Sequence, residues 1–321
     1  MATRRAFLAG LGVAAAAWAG GSSVARAAIP APGGMRRWAA ERGGRWVWIE
    51  RNKVGEIRMP DGRVARLTVE RRDIEVAGTK VWLGAPVVAV DGDLQLGPGD
   101  AEAIVGPLLV PVLAGVPWRR LALDAGHGGR DRGTQNPDHG WQEKALVLDL
   151  SQRLARQLEG RGRQVLMIRT DDRFIPLEER PARAAAGGAD LFVSLHLNAG
   201  PPPVSGVETF VLPPAGQPST GRADVQPGDH EVLPGNRFDL DNTRLGFALQ
   251  DRLRLRSGSL DRGLRRARFA VLRTLHCPGA LVEAGFLSHP EEGRRLAHPD
   301  YRERLAAWLA EALLAFRLSP R

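Results

Sequence analysis

The chain of 321 residues reads as an α/β protein, a central mixed sheet flanked by helices and preceded by a small strand-rich domain. Three observations carry this expectation. From about Arg119 onward, short apolar strand-like runs alternate with amphipathic helical stretches, the pattern of a layered α/β architecture. Between Arg45 and about Val110 the runs are short, alternating and broken by Asp-Gly turns. Three of the later strand-like runs lead into His127, His196 and Glu283, so chemistry-bearing side chains gather where strands give way to loops. That edge is where sites collect in open α/β sheets.

Residues 1–28 read as an export signal outside the fold. Arg4 and Arg5 give a charged start, Leu8 to Trp18 is a short Ala- and Gly-rich apolar run, and Ala25-Arg26-Ala27 fits a signal-peptidase site. The paired arginines before Phe7-Leu8 resemble a twin-arginine signal. The alternative is an uncleaved anchor, but a span needs about 20 apolar residues, more than this run supplies. The expected location is therefore exported, periplasmic or wall-associated, with no stable membrane span after signal cleavage.

Residues 29–117 form the expected strand-rich domain. Trp46 to Ile49, Ala65 to Val69 and Lys80 to Leu83 are its strand candidates, Asp61-Gly62 and Asp91-Gly92 its turns, and Ala101 to Leu109 one short helix. The succession GTKVWLGAPVV, DGDLQL and PLLVP resembles the copper amine oxidase N-terminal-like domains that accompany wall enzymes. Trp38, Trp46, Trp48 and Trp82 have the faces to stack on sugars, but in so small a domain they read first as core.

Residues 118–321 are the α/β domain. Arg119 to Asp124 is its first strand, followed by a glycine-rich loop from Gly126 to Gly140. Gln142 to Glu159 is a helix with Leu146, Leu150, Leu154 and Leu158 at helical spacing. Val165 to Arg169 is a strand, and Pro176 to Ala186 a helix with proline in the tolerated first turn. Asp190 to Leu197 and Val207 to Leu212 are strands. A Pro/Gly-rich insertion over 213–241 reads as a surface loop. Thr243 to Arg256 is a helix, Phe269 to Leu272 and Ala280 to Glu283 are strands, and Tyr301 to Phe316 closes the chain as a helix.

Composition narrows the partners. The chain holds 45 Lys and Arg against 36 Asp and Glu, and without its first 28 residues 42 against 36, a net charge of +6. Spread along the chain, this gives weak attraction to an anionic wall polymer and needs no nucleic acid to explain it. Arg262, Arg265, Arg266 and Arg268 read as a solvated face. Cys277 is the only cysteine, so no internal disulfide forms, and its place before an apolar strand predicts burial.

His127, His196 and Glu283 end strands, and Glu143 opens the helix after the glycine-rich loop. Two imidazoles with one carboxylate are the ligand set of a catalytic zinc, and a second carboxylate is what such a hydrolase uses as a base. Asp124 sits where it would orient His127. His139 in the loop, His230, His289 and His298 read as surface residues, and His276 lies just before the last core strand.

The motifs DAGHGGRDRGT, EKALVLDLSQRLARQL, RTDDRFIPLEER, ADLFVSLHLNA, SGVETFVL, DRGLRRARFAVLR and LVEAGFLSHPEE follow one another from Arg119 to Phe316. In that order they resemble the zinc-dependent N-acetylmuramoyl-L-alanine amidases of the amidase-3 type. The resemblance implies metal ligands at His127, Glu143 and His196, with Zn2+ as the cofactor. It implies a catalytic carboxylate at Glu283, and supporting roles for Arg180 and Asn198. The implied substrate is peptidoglycan, cut by zinc-activated water at the amide between N-acetylmuramic acid and L-alanine. The sequence departs from the family at Cys277 and Gly279 around the proline, and at His289, where asparagine is usual. Some wall amidases carry an inhibitory helix where the insertion stands here; its proline and glycine content predicts no helix to present Glu231 to a metal. A zinc peptidase acting within the stem peptide and a non-catalytic wall-binding protein are the competing readings.

Overall fold

The computed structural model describes residues 34–112 and 114–320. The export signal expected over residues 1–28 lies outside them. The N-terminal region begins with α1 (Met35–Glu41) and runs through β1 (Arg45–Glu50), β2 (Val54–Arg58), β3 (Val64–Thr68), β4 (Asp73–Val76) and β5 (Thr79–Trp82). These five strands form an antiparallel meander. A hairpin of β6 (Val88–Val90) and β7 (Asp93–Gln95) follows, turned at Asp91 and Gly92, both with positive φ as a two-residue hairpin turn demands. The chain is then helical through Ala101–Val105 and α2 (Gly106–Leu109).

The α/β part contributes β8 (Arg120–Ala125), α3 (Glu143–Glu159), β9 (Gln164–Met167), α4 (Glu179–Ala186), β10 (Leu191–Asn198) and β11 (Val207–Val211). It continues with α5 (Asp239–Ser257), β12 (Asp261–Arg266), α6 (Ala270–Arg273), β13 (Gly279–Phe286), α7 (Pro290–Ala297) and α8 (Pro299–Ala315). Among the described residues, eleven strands make one mixed sheet, in the order β1-β2-β3-β4-β5-β12-β11-β13-β10-β8-β9. The two parts are joined where β12 pairs in parallel with β5, Leu264 opposite Val81.

Burial explains the central strands. All eight residues of β10 and of β13 are buried, as expected of strands covered on both faces. Side chains alternate between two cores. Leu121, Leu123, Leu195 and Val282 join the larger core, which includes Leu150 and Leu154 of α3, Leu249 of α5 and Leu309 of α8. Ala122, Phe192, Phe210 and Leu281 face the smaller core, with Leu272, Leu275 and the buried Cys277. The smaller core fills only part of its face. Toward the strand ends the same alternation brings up Asp124, Ser194, His196, Glu208 and Glu283, all buried.

Two expectations are corrected. Phe269 to Leu272 is not a strand, because after Phe269 the chain turns into α6. The arginine cluster is not a solvated face: Asp261–Arg266 is β12, held between β5 and β11, and Arg266 is only 2% exposed. The charge pattern hid a strand whose Gly263 and Leu264 are buried. The insertion contains two tight helical turns, Pro227–His230 and Pro234–Phe238, with Glu231 exposed between them. It docks by Thr220, whose amide donates to the Arg266 carbonyl and whose Oγ1 accepts from the Arg266 amide.

Candidate metal centre and active site

The site grows from the loop after β8. His127 has φ +60, an uncommon conformation for a residue with a side chain, and buried donors hold it there. Arg180 on α4 gives Nη2 to the His127 carbonyl at 2.8 Å and pairs through Nη1 with Asp124 at 2.7 Å. Arg169 donates to the carbonyls of Ala125 and Gly126, each at 2.8 Å. Gly126 is required for a close approach, since a Cβ there would stand 2.3 Å from the His196 ring.

Glu143 begins α3 and is tied to the same loop. Its Oε2 accepts the Thr134 amide at 2.7 Å and its Oε1 the Leu197 amide at 2.9 Å. His196 on β10 brings Nδ1 to 3.0 Å from Glu143 Oε1 and 3.2 Å from His127 Nε2. His127 Nε2 is 3.1 Å from Glu143 Oε1. Three donor atoms, one from each residue, thus stand 3.0 to 3.2 Å apart. Ligands about 2.0 Å from a tetrahedral zinc would lie roughly 3.3 Å from one another. The donor set and its spacing therefore fit a zinc ion.

The other ring nitrogen of His127 is occupied. Nδ1 lies 2.9 Å from Asp131 Oδ2. Asp131, not Asp124, is the partner that orients this ring; Asp124 is consumed by Arg180 and by the Ser194 hydroxyl, which donates at 2.7 Å. Arg180 links Asp124 to the His127 backbone carbonyl. Asn198 gives Nδ2 to Glu208 Oε1 at 2.7 Å.

Glu283 stands beside His196 in the parallel register of β13 and β10, so both side chains rise from the same face. Its Oε2 is buried and has no hydrogen-bond partner among the described residues. Burial, then the charges of Glu143 and Glu208, hold its carboxyl well above the usual range. Burial opposes charging of His127, yet Glu143 and Asp131 overcome it and push the ring up to about 10. Glu143 is pulled the other way, well below the ordinary carboxylate, as its histidine neighbours outweigh burial. Burial lowers His196. The arrangement is one of a triad that could hold a metal ion, with a protonatable acid alongside.

A family model described as N-acetylmuramoyl-L-alanine amidase, of the amidase-3 type, matches residues 121–315. The chain belongs to this amidase family. Its relatives include the N-acetylmuramoyl-L-alanine amidase AmiA of Salmonella typhimurium, 32% identical over 221 residues, covering 62% of this chain and 76% of that protein. AmiC of Neisseria meningitidis is 33% identical over 218 residues, covering 60% of this chain. This chain spans only about half the length of that relative, 51%. Among solved structures, the N-acetylmuramoyl-L-alanine amidase from Clostridium difficile 630 superposes with a TM-score of 0.51 at 30% identity, covering 61% of this chain and 95% of that one. Mixed α/β architecture with a central sheet is shared with these amidases.

Within this amidase family member, the structure brings His127, Glu143 and His196 into one buried group, and places Glu283 abreast of it. His139 is exposed and stacks on Trp141, ring centroids 4.2 Å apart. His289 and His298 cap the starts of α7 and α8, and His230 and His276 are exposed. Three contributors were not anticipated from sequence: Asp131, Arg169 and Glu208. An acid four residues after a histidine in a glycine-rich loop was the available signal for Asp131.

Proposed function

We propose that this chain is a zinc-dependent amidase that hydrolyses the bond between the lactyl group of N-acetylmuramic acid and L-alanine in peptidoglycan. The observation that carries the reading is the donor triad at 3.0 to 3.2 Å spacing with the unpartnered Glu283 Oε2 beside it, in a chain of this family. His127, Glu143 and His196 would hold the metal. Zinc bound there supplies a Lewis acid that acidifies water and polarises the scissile carbonyl.

The chain's own groups do the rest. Asp131 accepts from His127 Nδ1 and so leaves Nε2 as the donor toward the site. The Thr134 and Leu197 amides hold Glu143 as a carboxylate. Glu283 takes a proton from the attacking water and passes it to the leaving nitrogen of L-alanine. A raised proton affinity suits a group that must carry that proton between two steps. Residues 118–321 would carry this chemistry, with residues 1–28 directing export to the wall. No helix of the described residues is long and apolar enough to cross a membrane.

The test is product analysis. Purified peptidoglycan digested by the zinc-loaded chain should release peptides with new L-alanine amino termini and leave glycan strands free of peptide. New termini inside the stem peptide would instead make it a peptidase. No release with zinc bound would make it a wall-binding protein.

A further inference from the structure

Four neighbouring strands present one row toward the cleft. His196 on β10 is in register with Glu283 on β13, Glu283 with Glu208 on β11, and Glu208 with Gly263 on β12. Paired positions on adjacent strands face the same side, about 4.8 Å apart. The row thus runs from the donor triad past the proposed base to β12, and its last position is bare. Gly263 has φ +93, and a Cβ there would stand 2.8 Å from the Lys80 carbonyl. A register shift between Asp261 and Gly263 lets Arg262 reach the same face.

Into that gap come two guanidinium groups. Arg262 Nε lies 3.1 Å from Glu208 Oε2, and Arg265 Nη1 lies 2.6 Å from the same oxygen. Asn198 occupies Glu208 Oε1. Two cations share one carboxylate, so the cluster keeps a net positive charge. Both Nη atoms of Arg262 and Nη2 of Arg265 make no hydrogen bond to the described chain. Their side chains are 21% and 12% exposed, so solvent reaches them although Glu208 beneath is sealed. Aromatic rings hold the planes: Arg262 lies over Phe286 at 5.0 Å, and Arg265 over Trp82 at 5.1 Å and Phe210 at 5.8 Å. Trp82 belongs to the N-terminal region, and its indole donates to the Arg262 carbonyl at 2.9 Å.

We propose that Arg262 and Arg265, walled by Trp82, form a subsite for a free carboxylate of the stem peptide on the leaving-group side of the scissile amide. This rests on the amidase reading. Stacked guanidinium forks with spare donors match a carboxylate, which they bind through parallel N–H bonds. The distance fits. β12 lies two strand spacings from Glu283, ~10 Å. A carboxylate on the residue after L-alanine lies about two residues of chain from the cut, ~7 Å, and an arginine side chain spans the difference. A second residue linked through its side-chain carboxyl, as γ-linked glutamate is, leaves its α-carboxylate free at that place. The N-terminal region is then part of the substrate cleft through Trp82.

The experiment compares two muramoyl tripeptides in which D-glutamate is joined to the third residue through its γ-carboxyl, one with its α-carboxylate free and one with that group as the α-carboxamide. Each is cleaved by the full zinc-loaded chain. The carboxylate substrate should show a kcat/KM roughly tenfold higher, mostly through KM. Arg262→Lys and Arg265→Lys keep the charge that neutralises Glu208 but lose the fork, and each should collapse the ratio of the two kcat/KM values toward one. Zinc content, measured in parallel, shows that the variants fold. Equal use of both substrates by the unaltered chain, a preference for the carboxamide, or an unchanged ratio in both lysine variants overturns the subsite while leaving the amidase reading intact. Cleavage of neither substrate, with zinc bound, overturns both.

Discussion

Oδ2 of Asp131 lies 2.9 Å from Nδ1 of His127, and this contact turns Nε2 of the ring toward Glu143 and His196. A ligand whose outer nitrogen is held by a carboxylate is both oriented and made a better donor. Asp131→Asn should weaken zinc binding about 10- to 100-fold, read by competition with a chromogenic chelator. Unchanged affinity would remove Asp131 from the site.

Glu283 is not one of the three residues grouped around the candidate metal position, and its Oε2 is unpartnered among the described residues. Glu283→Gln should therefore keep the full zinc content. Hydrolysis of muramoyl peptides should fall at least about 100-fold, the usual contribution of a positioned acid–base group. Turnover near that of the unaltered chain would exclude Glu283 as the proton carrier.

The proton on His127 sets a pH dependence. Glu143 and Asp131, working against burial, push this ring up to about 10, so the metal-free site carries a proton at neutral pH. Zinc must displace it, and apparent affinity should rise as pH rises toward 10, by about tenfold per unit. The sign for stability is opposite in the chelated protein. A histidine raised above its unfolded value stabilises fully below about pH 6.5, and that contribution is lost as pH climbs toward 10. Thermal midpoints of chelated protein between pH 6 and 10 should fall; a rise over that range would contradict the charged ring.

Gly126 leaves no room for even one carbon, because a Cβ would stand 2.3 Å from Cε1 of His196. Gly126→Ala should displace the ring and lower zinc occupancy sharply. The stability cost of such overpacking is about 1–3 kcal/mol. Zinc content and a thermal melt, measured together, separate the two effects; full zinc content would show that the loop yields instead of the ring.

Asp100 is a joint between regions far apart in sequence. Burial raises its carboxyl to about 6, and it accepts from the Gly84 and Ala85 amides and, at 3.0 Å, from Nε2 of Gln217 in the insertion. Asp100→Ala strands the Gly84 and Ala85 amides, at about 1–3 kcal/mol for each, and leaves Nε2 of Gln217 only the Pro98 carbonyl. A drop in the urea midpoint together with faster proteolysis of residues 213–241 is expected. Loss of neither would show that the insertion docks independently.

The strand ends were legible because local patterns mark them. The apolar run LFVSL announces a buried strand and places His196 at its end, and LALDA does the same for His127. Glu208 was not legible. Within VETFV it reads as one polar residue in a strand, and only the antiparallel pairing of β11 with β13, distant in sequence, sets it beside Glu283. The arginines of β12 misled for a related reason. Charge density suggests solvent, yet long stems cover aromatic faces, and Glu208 pairs with the heads of Arg262 and Arg265. Pairing across a sheet is a property of topology, and residue type alone does not record it.

The parallel seam between β5 and β12 has a consequence for handling the protein in pieces. A strand with one side open offers its amides and carbonyls to any other copy that arrives, and natural sheets guard against this. Here β5 takes the open side of β12. Cutting away the N-terminal region would uncover that row and take away Trp82, whose carbonyl accepts from Nη1 of the buried Arg266. A fragment beginning near residue 118 should therefore self-associate through its new edge, and this region would guard the sheet against such pairing.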